Sequence, residues 1–580
     1  MTLSKPPVRR HSDWNRFLKC SVTFLPSGAP RDFMIPSRVG QRPDRTTLAV
    51  GALALVALVV RLVGLGDRPL HWDEARVGYW SLRYLESGFF AYRPVAGGPL
   101  VYLLSRTSLA LFGTTDFALR LPVALVGAAL PLVSLLFRDH LENDETVAVA
   151  AILAANPLLV YYGRFARGDL LAIGFALAAF GFALRLFDGK GQQNAYGFAA
   201  ACVLAIASSG LGIVVLCCLA VAGLLVFDHA ALVSSSRPAA TRLGELSARV
   251  RGAATPAARA VLVFVGLYVF LFAPRAGDTN GVGLYTPGTI LGAIDVALFE
   301  SVQRFVGVRI VNRYPGATHQ YLPYLGNLVE VLALAALPVT LLAVGVFVVD
   351  RYASGGPRTV VSAATYWAGA VLVFVPMLTE VSASWLGVYV VVPLAIPAAV
   401  GLAALVRWGR QAFDSRDTPR VAAALLILLA LVAQTGAVAT TEVYAPSDRD
   451  TKLAHYGQPS SDFTAFRDNL SAWVGPTDDL DVEVLYYGSS MYVSDGAADY
   501  PPVPKKWGER LPMAWYVERI GADTTSTTNL SAFKQQSSVP PVVIAPASER
   551  GTLAPKLDGY VAHNYDTGLW DRPIVVFVKN

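Results

Sequence analysis

The chain has little charge. Only 16% of its 580 residues are Asp, Glu, Lys or Arg, while 54% are hydrophobic; soluble domains carry about 25% charged residues. With a mean hydropathy of +0.46, an ordinary soluble enzyme is excluded and a chain largely in lipid is expected. Cysteine is also scarce: Cys20, Cys202, Cys217 and Cys218. The last three sit inside apolar runs without metal-ligand spacing, which excludes a disulfide framework and a zinc site. There is no Walker-type glycine loop, no Gly-x-Ser-x-Gly, no His-Glu-x-x-His and no dinucleotide fingerprint. No internal repeat suggests an inverted-repeat transporter. The net charge of +6 hides an asymmetry, because residues 439–580 hold 18 acidic against 12 basic side chains. The basic residues are mostly Arg scattered over the apolar part, and no nucleic-acid partner is indicated.

What is present is a series of apolar runs of the length a bilayer core demands, about 17–25 residues. They lie near 47–66, 99–113, 117–137, 145–162, 170–187, 195–210, 211–228, 259–274, 326–349, 359–378, 383–406 and 420–438. Residues 1–46 are polar and Arg-rich and read as a disordered basic cytoplasmic tail, since no small-residue cleavage site follows the first apolar run. The Arg-rich loops 229–258, 350–358 and 407–420 belong inside by the positive-inside rule. This works if one run does not span. PLVYLLSRTSLALFG (99–113) is short, begins at a Gly-Gly-Pro break and carries Arg106 at its centre, so it is expected to lie in the interface. Eleven spans remain over residues 47–438, with the N-terminus cytoplasmic. Residues 439–580 then form a small extracytoplasmic α/β domain, with strands expected in VEVLYYG (482–488), PVVIAPA (541–547) and PIVVFVK (573–579) and a helix over 508–520.

Three groups on the expected outer face carry candidate chemistry. HWDEARVGYW (71–80) places Asp73 and Glu74 at the start of an amphipathic helix. There the helix dipole alone would favour two carboxylates, so capping and catalysis are both open. YYGRFARGD (161–169) puts Arg164, Arg167 and Asp169 in a tight turn on a face where arginine is unusual, and guanidinium groups suit phosphate oxygens. The loop 275–325 carries Arg304, Arg309, Arg313, Tyr314, His319, Gln320, Tyr321 and Tyr324. That composition fits either a plain membrane interface or a site for a sugar-lipid headgroup.

The order of HWDEA (71–75), GGPLVYLL (97–104), Arg120-Leu121-Pro122 and Arg164 to Asp169 resembles the GT-C class of membrane glycosyltransferases. Within that class it is similar to protein O-mannosyltransferases and lipid A aminoarabinose transferases. HQYLPYLGNLVE (319–330), Glu380 before Trp385, LPMAWY (511–516) and LWDRPIVVFV (569–578) resemble an archaeal branch of flippase-activity-associated proteins of surface glycosylation. One departure stands out: that branch usually has His-Gly-Pro where this chain reads Gly97-Gly98-Pro99.

The resemblance implies an all-α polytopic GT-C domain with about eleven transmembrane helices plus interfacial helices, followed by the C-terminal α/β domain. It implies Asp73 as the catalytic carboxylate with Glu74 beside it, Asp169 as the second acidic residue and Arg164 as its neighbour. A sugar would move from a polyprenyl (dolichyl) phosphate donor to an acceptor hydroxyl on a glycan or protein at the outer face. Asp73 would act as general base. Arg164, Arg167, Arg304 and Arg309, with His319 and Tyr321, would hold the donor phosphate and sugar. The partners are then the lipid-linked sugar, the acceptor and membrane lipid. No cofactor is required, although a divalent metal on Asp73 and Asp169 is compatible with the chemistry. The alternative is a non-catalytic GT-C-like accessory protein that assists flipping of lipid-linked sugars.

Overall fold

The computed structural model describes residues 43–94, 97–233, 254–276, 281–307, 320–352, 356–379, 382–445, 451–454, 457–475, 482–494, 507–568 and 573–580. The elements lie in one compact unit, Arg45–Asn580. In chain order they begin with α1 (Arg45–Leu62), α2 (Trp72–Ser87), β1 (Phe89–Phe90), α3 (Pro99–Phe112), α4 (Asp116–Ala129, tightening into a 3₁₀ stretch Leu130–Phe137), α5 (Asn143–Ala155) and α6 (Pro157–Tyr162). Next come α7 (Asp169–Phe187), α8 (Gln193–Ser208), α9 (Leu211–Val233), α10 (Ala254–Phe272), β2 (Arg275–Ala276), α11 (Ile290–Asp295) and α12 (Ser301–Val306). Then follow α13 (Tyr321–Ala335), α14 (Leu337–Arg351), α15 (Thr359–Leu378), α16 (Val388–Asp414) and α17 (Thr418–Val438).

The chain is a multi-pass membrane protein with several apolar helices. Among the described residues, six helices are long and apolar enough to cross a membrane: Arg45–Leu62, Asp116–Phe137, Asp169–Phe187, Thr359–Leu378, Ser384–Asp414 and Thr418–Val443. The apolar run 326–349 is not one rod, because α13 and α14 meet at 101°. Pro338 sits in the first turn of α14; it has no N–H to continue α13, and its ring opposes an unbroken helix. The run 145–162 is likewise divided at Asn156-Pro157. Apolar runs report burial in lipid or core, not helix continuity, so one run can hold two helices. The run 99–113 forms the 14-residue α3, about 21 Å long at 1.5 Å per residue, well short of a hydrocarbon core of about 30 Å.

α16 is the central post, buried over most of its length against α5, α7, α14 and α15. The outer rows of α1 (Leu55, Val59) and α17 (Leu426, Leu429, Val432) are exposed apolar surface suited to lipid. At the end of the bundle where α7 finishes, Arg358 pairs with Glu145 at 3.0 Å, and Arg407 with Glu142 at 2.7 Å and Asp144 at 3.0 Å. Arg358 and Arg407 therefore lie at the end opposite the start of α7, where Asp169 stands.

The C-terminal region continues with α18 (Phe463–Val474), β3 (Val484–Tyr487), α19 (Met513–Arg519), β4 (Thr524–Thr527), α20 (Leu530–Gln536), β5 (Val542–Pro546), β6 (Tyr560–Asp566) and β7 (Pro573–Lys579). All three strands expected from the sequence are present. The sheet order is β4-β3-β5-β7-β6, with β3 parallel to β4 and β5, and β7 antiparallel to β5 and β6. Period-two alternation sends Val484, Tyr486, Val542 and Ile544 to one face and Leu485, Tyr487, Val543 and Ala545 to the other. The first face shares a single core with α2, α3 and α4. Hence α2 is not a helix with a polar face in water, as expected of an interfacial segment. It is packed between the bundle and the C-terminal domain, with Ala75, Val77, Gly78, Tyr79, Leu82 and Tyr84 all buried.

Candidate active site

The segment Pro69–Glu74 answers which carboxylate caps the helix. His71 is the N-cap, its Nδ1 accepting from the Asp73 N–H at 3.1 Å, while Glu74 Oε2 accepts from the His71 N–H at 3.1 Å. This reciprocal arrangement satisfies two orphan donors of the first turn. Glu74 accepts more besides: Arg120 Nε and Nη2 both at 2.8 Å in a bidentate fork, the Ala166 N–H at 2.8 Å and Arg68 Nη2 at 3.3 Å. It has no exposed surface. Burial pushes its pKa up, but the charge and hydrogen bonds of Arg120, then Arg68 and the Ala166 N–H, outweigh burial and hold it at about 2. With five donors on its two oxygens, Glu74 is committed to holding the turn.

Asp73, one residue earlier, points elsewhere. Its Oδ2 accepts from Arg167 Nη1. Arg167 Nε in turn donates to Asp169 Oδ2 at 2.9 Å, and its guanidinium lies 3.9 Å from the Trp385 ring centroid. Asp169 Oδ1 accepts from the Tyr389 hydroxyl at 2.8 Å and Ser209 Oγ at 3.3 Å. The start of α2, the start of α7, the α8–α9 turn and the foot of α16 therefore converge on one chain, Asp73–Arg167–Asp169.

Two further guanidinium groups lie near it. Arg76 lies one helical turn after Asp73, on the same face of α2, with its guanidinium 4.0 Å from the Trp72 ring centroid. Arg93 follows β1 and faces Trp80. The Tyr102 hydroxyl on α3 lies in the field of Arg76, Asp73, Arg93 and Arg167; burial dominates there and raises its pKa well above the ordinary value. The result is a cluster of two carboxylates and three arginines with aromatic neighbours.

Close backbone contacts set this geometry. A Cβ on Gly168 would lie 1.7 Å from the Ser208 carbonyl oxygen, and one on Gly98 would lie 2.1 Å from that of Ala207. The Gly98 N–H donates to Ser208 O at 2.8 Å. Both glycines let the end of α8 press onto the site, which brings Ser209 to Asp169. Gly97, where the similar branch has His, sits at φ +76°, a conformation that L side chains adopt only with strain.

The C-terminal domain grips the turn that bears Asp73 from the other side. The Trp72 N–H donates to Gly457 O at 2.8 Å and Trp72 Nε1 to Gly508 O at 2.7 Å. The Leu70 N–H donates to the Tyr516 hydroxyl at 2.8 Å, and Gln458 Nε2 to Pro69 O at 3.0 Å. Asp116, at the head of α4, accepts from Trp515 Nε1 at 2.9 Å, the Tyr516 hydroxyl at 3.1 Å and Arg519 at 3.3 Å.

Over nearly its whole length this architecture is similar to ArnT from Cupriavidus metallidurans in the apo state, with TM-score 0.55, 16% identity, and 92% of this chain and 98% of that one covered. The fold is that of the GT-C membrane glycosyltransferases. The same GT-C protein bound to undecaprenyl phosphate aligns with TM-score 0.53 at 17% identity, covering 91% and 98% of the two chains. The Archaeoglobus fulgidus oligosaccharyltransferase in complex with Zn and sulfate aligns with TM-score 0.48 at 16% identity, over 90% of this chain and 72% of that one. Residues 94–245 match the dolichyl-phosphate-mannose-protein mannosyltransferase family, and residues 465–579 match the Agl23 flippase-associated protein C-terminal domain. No curated protein sequence matches the chain.

The residues expected at the site divide. Asp73, Arg167 and Asp169 come together. Glu74 is adjacent but saturated. Arg164 does not join them: it donates to Val63 O at 2.7 Å, Gly64 O at 2.9 Å and Val443 O at 3.0 Å, with its guanidinium over Tyr444. Burial and the nearby Arg68 lower its pKa to about 10, so it stays a cation that staples the end of α1 to the end of α17. Arg304 pairs with Glu300 at 2.9 Å and reaches Tyr92 O, while the Tyr321 hydroxyl reaches Val373 O at 3.5 Å; neither contacts the Asp73–Asp169 chain. Arg309, His319 and Glu380 lie outside the described residues.

Arg76, Arg93, Tyr102, Trp385 and Tyr389 were not singled out as site residues from the sequence. Only Arg76 had a local signal, its i+3 spacing from Asp73. As for a metal, no three His, Cys, Asp or Glu side chains among the described residues are placed to hold one. The Oδ2 atoms of Asp73 and Asp169 both accept from Arg167, so a divalent ion between them would have to displace a guanidinium.

Proposed function

We propose that this protein is a GT-C glycosyltransferase that moves a sugar from a polyprenyl phosphate to an acceptor hydroxyl. The observation that carries the reading is the Asp73–Arg167–Asp169 chain with Arg76 and Arg93 beside it, set at the boundary between apolar helices and the C-terminal domain. The donor tail would lie in lipid and its phosphodiester among the three guanidinium groups.

Arg167 links ground state and reaction. A donor phosphate competes with Asp73 for the Arg167 fork, and as Arg167 turns to phosphate the Asp73 carboxylate is released to accept a proton. Asp73 takes the proton of the acceptor hydroxyl, whose oxygen attacks the anomeric carbon. The bond from that carbon to the phosphate oxygen breaks, and the electron pair leaves on the polyprenyl phosphate. The leaving group is an anion, so it needs cations rather than an acid, and preorganised guanidinium groups stabilise the charge it gathers. Attack opposite the leaving group inverts the anomeric centre. Glu74, Arg120 and the C-terminal domain hold Asp73 in place.

The sidedness follows the charge. The end that carries Arg358 and Arg407 would face the cytoplasm, with the Asp73–Arg167–Asp169 cluster and the C-terminal domain outside. The second reading, an accessory protein for flipping lipid-linked sugars, is favoured by the match of residues 465–579 to a flippase-associated domain. Purified protein in liposomes, given polyprenyl phosphate labelled in the sugar and a surface-glycan acceptor, separates the two. Transfer of label from lipid to acceptor supports the enzyme. Movement of labelled lipid between leaflets without transfer supports the accessory role.

A further inference from the structure

The chain contains two Asn-x-Ser triplets with x other than Pro, Asn469-Leu470-Ser471 and Asn529-Leu530-Ser531, and both fall in the C-terminal domain. Such a triplet is the acceptor pattern for a glycan on the Asn amide nitrogen, and it needs a surface position on the outer side of the membrane. The fold treats the two differently. Asn469 lies within the 12-residue α18, and its Nδ2 donates to Ala465 O at 2.8 Å. The nitrogen that would take the sugar is thus engaged on the helix's own carbonyl. α18 is held along its length by Phe463, Phe466, Leu470 and Val474, all buried in the core shared with α2.

Asn529 follows β4, the strand at one edge of the sheet, and opens the seven-residue α20. It is exposed, and so is Ser531. Its backbone is extended (φ −135°, ψ 96°), and its Oδ1 accepts from the Ala532 N–H at 3.1 Å as the helix cap. The cap uses the oxygen alone, so a substituent on Nδ2 leaves it intact. α20 is anchored by Leu530, buried with Leu485 and Val543, and by the partly buried Phe533. A helix this short is not stable by itself, and one held at the sheet edge by two side chains opens locally more readily than α18. An enzyme that draws the triplet into its own cleft therefore meets less resistance at Asn529. We propose that Asn529 is a site of N-glycosylation and that Asn469 is not. The donor is a glycan linked to a lipid through phosphate. The Asn529 amide nitrogen bonds to the anomeric carbon and gives up one proton, while the bond from that carbon to the phosphate oxygen breaks and its electron pair leaves on the lipid phosphate. The site rests on the sidedness argued above, with the C-terminal domain outside. α20 packs on the sheet face opposite the one that meets α2, so a glycan there stays clear of the turn bearing Asp73.

The test reads a covalent mass and needs no transfer by this chain. The full-length protein is purified from the membranes of its own source cells and digested, and the peptides that carry residues 469 and 529 are weighed by mass spectrometry. The peptide with Asn529 should carry one or more sugar units, and the peptide with Asn469 should be bare. Asn529→Asp keeps the helix cap, since Asp caps about as well as Asn, and should lose the modification at unchanged abundance. Ser531→Ala should lose it as well, and Ser531→Thr should keep it. Impermeant thiol labelling of Ser548→Cys on intact cells fixes the side of the domain independently. A domain labelled from outside with Asn529 bare would overturn the inference and leave the proposed orientation standing, whereas a domain labelled only after the cells are opened would overturn both. Sugar on Asn469 to the same extent, or its persistence at Asn529 in Ser531→Ala, would also overturn the inference.

Discussion

Replacing Glu74 by Gln asks whether that carboxylate is structural. In the fold it is held at about 2 against an ordinary 4.5, a gap worth about 3 kcal/mol in favour of the charged form. A depressed carboxyl stabilises the fold above its ordinary pKa, so this contribution is complete at neutral pH and is lost as pH falls from about 5 towards 2. Gln removes the charge and leaves the buried Arg120 guanidinium without its counter-ion. Breaking one side of a buried pair costs about 3–5 kcal/mol. Denaturant titration of purified protein in detergent should show a loss of that size for Glu74→Gln at pH 7, shrinking as the pH is lowered. Because the cost lies in the orphaned partner, adding Arg120→Met should recover much of it. A Glu74→Gln protein within about 0.5 kcal/mol of wild type, yet inactive, would refute this assignment and return Glu74 to the chemistry.

Two other perturbations test the surroundings. Tyr516→Phe removes the hydroxyl that meets both the Leu70 N–H and Asp116. It should cost about 1–3 kcal/mol and lower kcat more than it raises KM, since the turn bearing Asp73 loosens; unchanged stability in denaturant titration would count against the grip. In a cysteine-free background, Ser548→Cys in the C-terminal domain should react with an impermeant thiol reagent on intact cells, while Lys190→Cys beyond the far end of α7 should not. Labelling at position 190 alone would invert the proposed orientation.

What the sequence revealed follows from how local each signal is. The strands of the C-terminal sheet were legible because alternation needs only a few residues, and Asp73, Arg167 and Asp169 because their short motifs sit between apolar runs. Glu74 was grouped with Asp73 because its decisive partner, Arg120, is 46 positions away, and nothing near HWDEA announces a bidentate fork. Arg164 and Arg167 share one turn and look equivalent as text. Only the folded backbone sends Arg164 to the carbonyls of α1 and Arg167 to the two aspartates. Trp385 and Tyr389 reach the site through the foot of α16, a meeting between segments over 200 residues apart. Helix continuity was hidden for a related reason: Pro157 and Pro338 break helices inside runs whose hydropathy is continuous.

The central claim is that Asp73 removes the acceptor's proton. Asn is nearly the same size and can still accept from Arg167, so Asp73→Asn should fold, insert and reach wild-type abundance. The direct measurement is the initial rate of label transfer from polyprenyl phosphate sugar to acceptor, wild type against Asp73→Asn, in liposomes at equal protein. Loss of a general base typically costs about 10²–10⁴-fold, and a fall of that size is expected, with a smaller one for Asp169→Asn. Transfer by folded Asp73→Asn at a rate near wild type would contradict the account.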